Sequence, residues 1–369
     1  MRKAAFLVSP ALWEHGHGPA HPLKPERLQR TYQLLQEYGA LEATNVQVVT
    51  PRTAFEEELA LFHSREYISA VRSLSAGETD IPAYRYNFGP GDNPVYSGMF
   101  ESGSLTAGSS LLAAEMLLNG VCEVAFSYSG GLHHARPEQA SGFCVFNDAA
   151  VAIHWLVKRG LRVAYVDIDV HHGDGVQWAF YDSDHVLTIS LHQDGRTLFP
   201  GSGFVDEIGR GAGVGYSVNL PLPPYTDDEL YCWAFDEIVP PLVSRFQPDI
   251  TVTQLGVDTH YLDPLANLAL TTRGQSQVFK TLEKLGGRWL ALGGGGYNLD
   301  VVPRSWTLAF AVMSGQSLPD ELPEGYRGKY GGRWLQDQEM PLIPERDYRY
   351  VRQIVEATVA RLKQLHHLN

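Results

Sequence analysis

Residues Arg162–Asp174 read Arg-Val-Ala-Tyr-Val-Asp-Ile-Asp-Val-His-His-Gly-Asp. The first half is an apolar run of β-branched and aromatic residues, the composition of a buried strand. In extended backbone alternate side chains share a face, so Asp167, Asp169 and His171 project one way while Val166, Ile168 and Val170 face the core. Two carboxylates and an imidazole on one face at a strand end are costly unless something cationic neutralises them. A divalent metal does so, and Asp/His ligation that leaves one position for water is the pattern of a catalytic zinc. Alone, a D-x-H is a common chance match, and its plain alternative is a strand running out into a solvated loop.

Similar short runs recur at Ala5–Ser9, Val46–Thr50, Glu123–Ser127, Val186–Leu191, Ile250–Leu255 and Trp289–Leu292. Amphipathic segments lie between them: Pro25–Tyr38, Met99–Asn119, Asp148–Arg159, Asp227–Arg245, Gly274–Leu285 and Asp300–Ser314. Strand alternating with helix predicts βαβ units and a parallel sheet. No low-complexity linker or internal repeat divides the 369 residues, so one α/β domain over 1–369 is expected. Ser317–Arg346, rich in Pro, Gly and charge, is expected to wrap the surface before a final helix near Asp347–Leu365.

Chemistry-bearing residues follow the predicted strands at Gly130–His134, Asp167–Asp174, Gly256–Asp258 and Gly293–Tyr297. Ligands of open α/β sheets sit outside the carboxyl ends of the strands, so these exits predict one shared site. Asp258, in Gln254-Leu255-Gly256-Val257-Asp258-Thr259, is unremarkable by itself but completes a metal site with Asp169 and His171. Carboxylate-rich ligation without cysteine is not selective for Zn(2+); Fe(2+) and Mn(2+) suit the same donors. In Ser129-Gly130-Gly131-Leu132-His133-His134, adjacent imidazoles are suited to proton transfer near neutral pH. The chain offers no HExxH glutamate, so one imidazole serves as base and acid while its neighbour tunes it, with Asp167 and Asp174 available to orient the pair. An isolated His-His pair is otherwise an ordinary surface or metal-binding feature. The run Gly293-Gly294-Gly295-Gly296-Tyr297-Asn298 permits close backbone approach but lacks the Lys-Ser/Thr of a phosphate loop. It is expected to set the Tyr297 hydroxyl over the metal as donor to a developing oxyanion.

Composition bounds the rest. No apolar run reaches the roughly 18 residues of a membrane span, and the basic-then-apolar start Met1–Val8 is broken by Pro10, Trp13 and Glu14, which favours an opening strand over a leader. Cys122, Cys144 and Cys232 are odd in number and lack metal-type spacing, which suits a reducing, cytoplasmic setting. A net charge of −13 argues against a nucleic-acid partner.

Taken in order, His21-Pro22-Leu23-Lys24-Pro25-Glu26-Arg27, Gly130–His134, Ser141-Gly142-Phe143-Cys144, Asp167–Gly175, Ser190-Leu191-His192, Phe199-Pro200-Gly201, Gln254–Asp258 with Asp263-Pro264, and Gly293–Tyr297 span most of the chain. Together they resemble the histone deacetylase family, close to its class I and bacterial acetoin-utilisation (AcuC-like) type. The resemblance implies a single arginase-like domain with a central eight-stranded parallel sheet flanked by helices. It implies zinc on Asp169, His171 and Asp258, and hydrolysis of acetyl or longer acyl groups from lysine by a metal-bound water. His134 is then general base and acid, His133 its electrostatic partner, Asp167 pairs with His133, Asp174 pairs with His134, and Tyr297 polarises the carbonyl.

The resemblance further places Phe143 and Phe199 as walls of a lysine channel, with Gly142 at its carbonyl and Leu265 nearby. Without it, ordinary core packing is the better reading of two phenylalanines. Asp92 matches a rim aspartate that holds substrate amides, although turn chemistry alone also explains an Asp there. Arg27 and Cys144 match residues of an internal cavity used by acetate. Two structural K+ or Na+ sites are implied, one from Asp167, Asp169, His171, Ser190 and Leu191, the other from Phe180, Ser183, Val186 and Tyr216. Leu265 stands where several relatives have methionine, and Ser183 where threonine is commoner. An acylated polyamine or other small amine is the alternative substrate, although no insertion supplying an acidic gate is apparent. A binuclear manganese ureohydrolase needs a second D-x-D where this chain has Asp258-Thr259-His260. A non-catalytic acyl-lysine scaffold needs a broken constellation, and every position is filled. Oligomeric state leaves no mark in the sequence.

Overall fold

The computed structural model describes residues 2–369. Its strands are β1 Ala4–Leu7, β2 Val46–Val49, β3 Val124–Ser127, β4 Val163–Asp167, β5 Val186–Gln193, β6 Ser217–Leu222, β7 Ile250–Gln254 and β8 Arg288–Leu292. They form one eight-stranded sheet in the order β2-β1-β3-β8-β7-β4-β5-β6. Every neighbouring pair is parallel.

A parallel sheet needs cover on both faces, and the two-residue strand period divides the side chains between two cores. In β4, Val163 and Tyr165 join the core that includes the helices Met99–Leu118 and Asp148–Val157. Ala164 and Val166 join the other, with Asp228–Phe246, Thr272–Lys284, Val302–Ser314 and Glu345–Leu365. Ile168 and Val170 continue in that second core beyond the strand end, as the alternation requires.

One strand departs from the sequence reading. β6 carries Pro221 opposite His192 of β5, and proline argues against an interior strand. It is tolerated here because β6 is the sheet edge, where only one neighbour draws on its N–H groups. Pro240 and Pro241 sit inside the helix Asp228–Phe246, whose Ile238, Val239, Leu242 and Val243 are buried; tertiary packing overrides the local penalty. The C-terminal wrap contains its own short helix, Glu324–Tyr330. It is fastened by Asp337, which accepts from His260 Nε2 at 2.7 Å, Thr272 N at 2.8 Å and Arg304 Nη1 at 2.9 Å. The wrap thus braces the loop that follows β7.

Another brace is His63, 2% exposed, whose Nε2 accepts the Asn147 backbone N–H at 2.9 Å. Burial pushes this imidazole down to about 3, against the opposing carbonyls of Pro137 and Arg136. A depressed histidine stabilises the fold fully above its unfolded value near 6.5, and that contribution is lost as pH falls toward the folded value. His63→Phe is therefore expected to destabilise by roughly 1–3 kcal/mol at pH 7, because Asn147 N–H loses its acceptor. The gap to wild type should narrow by up to about 1.4 kcal/mol per pH unit below 6.5. Urea melts at pH 7, 6 and 5 check this, and a gap that stays constant contradicts it.

Candidate active site

β3, β8, β7 and β4 are consecutive in the sheet, so the exits that the sequence singles out emerge side by side at its carboxyl edge. Asp169 and His171 leave β4 and Asp258 leaves β7, with exposures of 1%, 8% and 0%. One ligand atom from each lies within 4.8 Å of the others. His171 Nδ1 is 3.0 Å from Asp169 Oδ1 and 3.2 Å from Asp258 Oδ2. The other carboxylate oxygens are occupied. Asp169 Oδ2 accepts Gln254 Nε2 at 2.6 Å and Gly295 N at 2.7 Å, and Asp258 Oδ1 accepts Val170 N at 2.9 Å. A Cβ at position 295 would stand 2.0 Å from Asp258 Oδ2, so only glycine allows this approach.

Burial works against ionising Asp169, but His133, His171 and Gln254 outweigh it and hold the carboxyl well below its usual range. Burial and the charge of Asp169 push Asp258 upward. Burial also opposes a charged His171, yet bonds to Asp169 and Asp258 lift it to about 10. Two buried carboxylates and one imidazole converge on a point that calls for a cation. The donor set fits a divalent metal.

The histidine loop is set from below by the start of the helix Asp148–Val157. Asp148 accepts Gly131 N at 3.0 Å and Leu132 N at 2.8 Å, while Asn147 Nδ2 donates to the carbonyls of His133 and Ala135, each at 3.0 Å. His133 Nδ1 meets Asp167 Oδ2 at 2.7 Å, His134 Nδ1 meets Asp174 Oδ1 at 2.7 Å, and the two Nε2 atoms are 3.0 Å apart. Two ring nitrogens at that distance share one proton, one donating and the other presenting a lone pair. Burial opposes charge on both rings, but Asp167 and Asp169 carry His133 up to about 9, whereas burial and the neighbouring His133 take His134 down to about 4. His133 is the protonated partner and His134 the free base.

Tyr297 comes off β8 with its backbone N–H on Asp263 Oδ2 at 2.8 Å. Its ring stands edge-on to Phe143 at 5.7 Å and to His171 at 6.5 Å. Burial and the Asp258 and Asp169 charges raise the phenol well above its ordinary value, so it keeps its proton and remains a donor. Arg27 supports the glycine run through Nη1 to Gly294 O at 2.6 Å and lies over Trp306. Phe143, at φ 70°, lies in the left-handed region. Its N–H is held by Asn93 Oδ1 and its carbonyl by His17 Nε2, both at 3.0 Å. Phe199 is 45% exposed, with its ring 5.0 Å from His134. A Cβ on Gly142 would come within 2.3 Å of His134 Cδ2 and 2.9 Å of Phe199 Cε1, so Gly142 is the gap between the His134 imidazole and the Phe199 ring.

The sequence matches the family described as Histone deacetylase domain over residues 21–313. The chain belongs to the histone deacetylase family. It is 41% identical to the acetoin utilization protein AcuC of Bacillus subtilis (strain 168) over 333 residues, covering 88% of this chain and 85% of that protein. It is 38% identical to Histone deacetylase 1 of Homo sapiens over 334 residues, covering 90% of this chain and 68% of that protein. The crystal structure of an HDAC homolog from Aquifex aeolicus matches with a TM-score of 0.88 at 31% identity, covering 98% of this chain and all of that one. An HDAC homolog complexed with SAHA matches at 0.89 and 32% identity over the same shares. These likenesses give the histone deacetylase chain its arginase-like fold.

Of the remaining expected residues of this family member, most lie near that centre, whereas Phe180, Ser183, Val186 and Tyr216 lie toward the amino-terminal end of the sheet. Cys144 is buried, with Sγ on Gly142 O at 3.3 Å. Leu265 is half-buried in the loop that Asp263 pins through Leu265 N at 3.0 Å. Asp92 is exposed, and its carbonyl accepts His21 Nε2 at 3.2 Å. Ser190 pairs in register with Asp167, next to Leu191, and its Oγ meets His192 Nδ1 at 2.8 Å. Ser183 N donates to Phe180 O at 2.9 Å near Val186, where β5 begins, and Tyr216 O accepts Thr188 N at 2.9 Å.

Sequence reasoning gave no role to Gln254, Asp263, Asn147, Asp148, Asn93 and His17, which hold the site's residues without belonging to its reactive set. Gln254, a polar residue ending a buried strand, and the Asn147-Asp148 pair at a helix start were the available signals. Asn93 and His17 had none.

Proposed function

We propose that this chain is a metal-dependent hydrolase that removes acetyl groups, and longer acyl groups by extension, from the ε-amine of lysine in proteins. The observation that carries the reading is the convergence of three ligand atoms beside an Nε2–Nε2 histidine pair and the Tyr297 ring, 6.5 Å from that of His171. Zn(2+) is the preferred occupant of Asp169, His171 and Asp258, with Fe(2+) the alternative; when bound, it supplies Lewis acidity and lowers the pKa of water. His134 takes a proton at Nε2 as its lone pair leaves the His133 N–H, and returns it to the leaving amine. His133, protonated and anchored on Asp167, keeps His134 neutral between turns, and Asp174 fixes the His134 tautomer. The Tyr297 hydroxyl donates to the acyl oxygen as negative charge develops there. Phe143 and Phe199 flank the lysine methylenes, Gly142 leaves them room, Leu265 borders the acyl end, and Asp92 receives substrate backbone amides at the rim. Arg27 and Cys144 border the acetate cavity.

We assign structural K+ or Na+ to the Asp167–Leu191 and Phe180–Tyr216 groups. Free cysteines at 122, 144 and 232 accord with a reducing cytoplasm, and among the described residues no helix is long and apolar enough to cross a membrane.

A panel of acetyl-, longer acyl- and lactyl-lysine peptides plus acetylpolyamines tests this. Turnover of peptides is expected; turnover of polyamines alone overturns the protein-substrate reading, and inertness toward all overturns the enzyme. Near neutral pH, His134→Ala should lower kcat/KM by roughly 10²–10⁴-fold, more than His133→Ala does. The reverse ranking contradicts the division of labour.

A further inference from the structure

At the amino-terminal end of the sheet, opposite the site above, a groove of about 420 Å³ is lined by Arg162, Arg245, His366, Leu187, Leu242 and Phe246 among others, and by no carboxylate among the described residues. The chain as a whole carries a net charge of −13, yet neither guanidinium is ion-paired among the described residues. Arg162 sits over Phe246, 4.2 Å from the ring centroid, which leaves its N–H edge unused. Asp249 accepts only the Arg162 backbone N–H, at 2.8 Å. Arg245 spends one N–H on the His366 carbonyl, and a guanidinium has five.

His366 is the independent observation. It is 3% exposed, and among the described residues neither ring nitrogen has a hydrogen-bond partner. The Gly215 backbone lies beside it without completing a bond of normal geometry. Buried polar groups are normally satisfied, and an exception asks for a missing partner. The helix Glu345–Leu365 ends here, and its carbonyl end disfavours an anion; Arg245 covers the carbonyl at that cap.

We propose that this groove binds a small oxyanion, a carboxylate or a phosphate, between the edges of Arg162 and Arg245, with His366 as third donor. Planar guanidinium edges match both anions two bonds at a time. Leu187, Leu242 and Phe246 accept a short carbon tail, which favours a carboxylate that carries one.

Calorimetric titration of the metal-loaded protein, its metal centre occupied by a saturating hydroxamate, with inorganic phosphate and, separately, with butyrate tests the proposal. At least one should bind, and Arg162→Met/Arg245→Met should weaken it at least tenfold while turnover on acyl-lysine peptide is unchanged. Butyrate without phosphate identifies a tailed carboxylate, and phosphate alone identifies a phosphate ligand. Arg162→Lys keeps charge and stem, so it guards against misfolding, and it should weaken binding severalfold. His366→Phe should weaken it as well. Failure of both probes, or equal binding by wild type and the double variant, overturns the site.

Discussion

Asp169→Asn is expected to yield a folded protein without metal and without activity. The geometry makes this substitution harsher than the loss of one charge. Asp169 Oδ2 accepts from Gln254 Nε2 and Gly295 N, so an asparagine there must turn its carbonyl oxygen toward those donors. Its NH2 then points at His171 Nδ1 and Asp258 Oδ2, where a ligand atom stood. A donor replaces an acceptor at the cation's position, and one of two negative charges disappears. Metal content by elemental analysis should fall from near one per chain to background, and turnover should drop by several orders of magnitude. The metal-free variant should be less stable than metal-free wild type at neutral pH, since a carboxyl held well below its usual range contributes stability there and the new NH2 would face the His171 backbone N–H that Oδ1 accepts at 3.0 Å. Full metal occupancy in the variant contradicts the ligand assignment.

Tyr297→Phe separates chemistry from binding. The ring is held by edge contacts to Phe143 and His171 and its backbone by Asp263, all of which phenylalanine retains. Only the hydroxyl is lost. Removing one donor to a developing oxyanion costs about 10²–10³ in kcat, so turnover should fall by that factor with metal content unchanged and KM little altered. Near-normal turnover removes the oxyanion role. Loss of metal instead makes Tyr297 a structural support.

The sequence disclosed most where a residue type and its backbone setting are locally coupled. Alternation in Val166–His171 placed Ile168 and Val170 in the core and the Asp169–His171 pair at the strand exit, because side-chain period follows backbone geometry alone. β6 was hidden because Pro221 breaks the local rule, and only its edge position makes that harmless. The division between His133 and His134 is not written in two adjacent identical residues. It arises from Asp167, 34 positions away, and Asp169, which favour charge on His133, and from the burial and neighbouring His133 that oppose charge on His134. Phe143 gives no hint of its left-handed backbone, which Asn93 and His17 hold from distant segments.

The strand order also sets a timetable for synthesis. By residue 222 the chain has made β2-β1-β3 and β4-β5-β6, two three-stranded halves whose facing edges, β3 and β4, have no partner. β7 and β8 arrive last and fill the gap between them, bringing Asp258 and Tyr297 on their exits. A nascent chain that already carries Asp169, His171 and the paired His133 and His134 is therefore still two open, apolar-edged sheets, exposed to mispairing. Closing the sheet and completing the metal centre are one late event, so no partial product of translation can hold the ion or act.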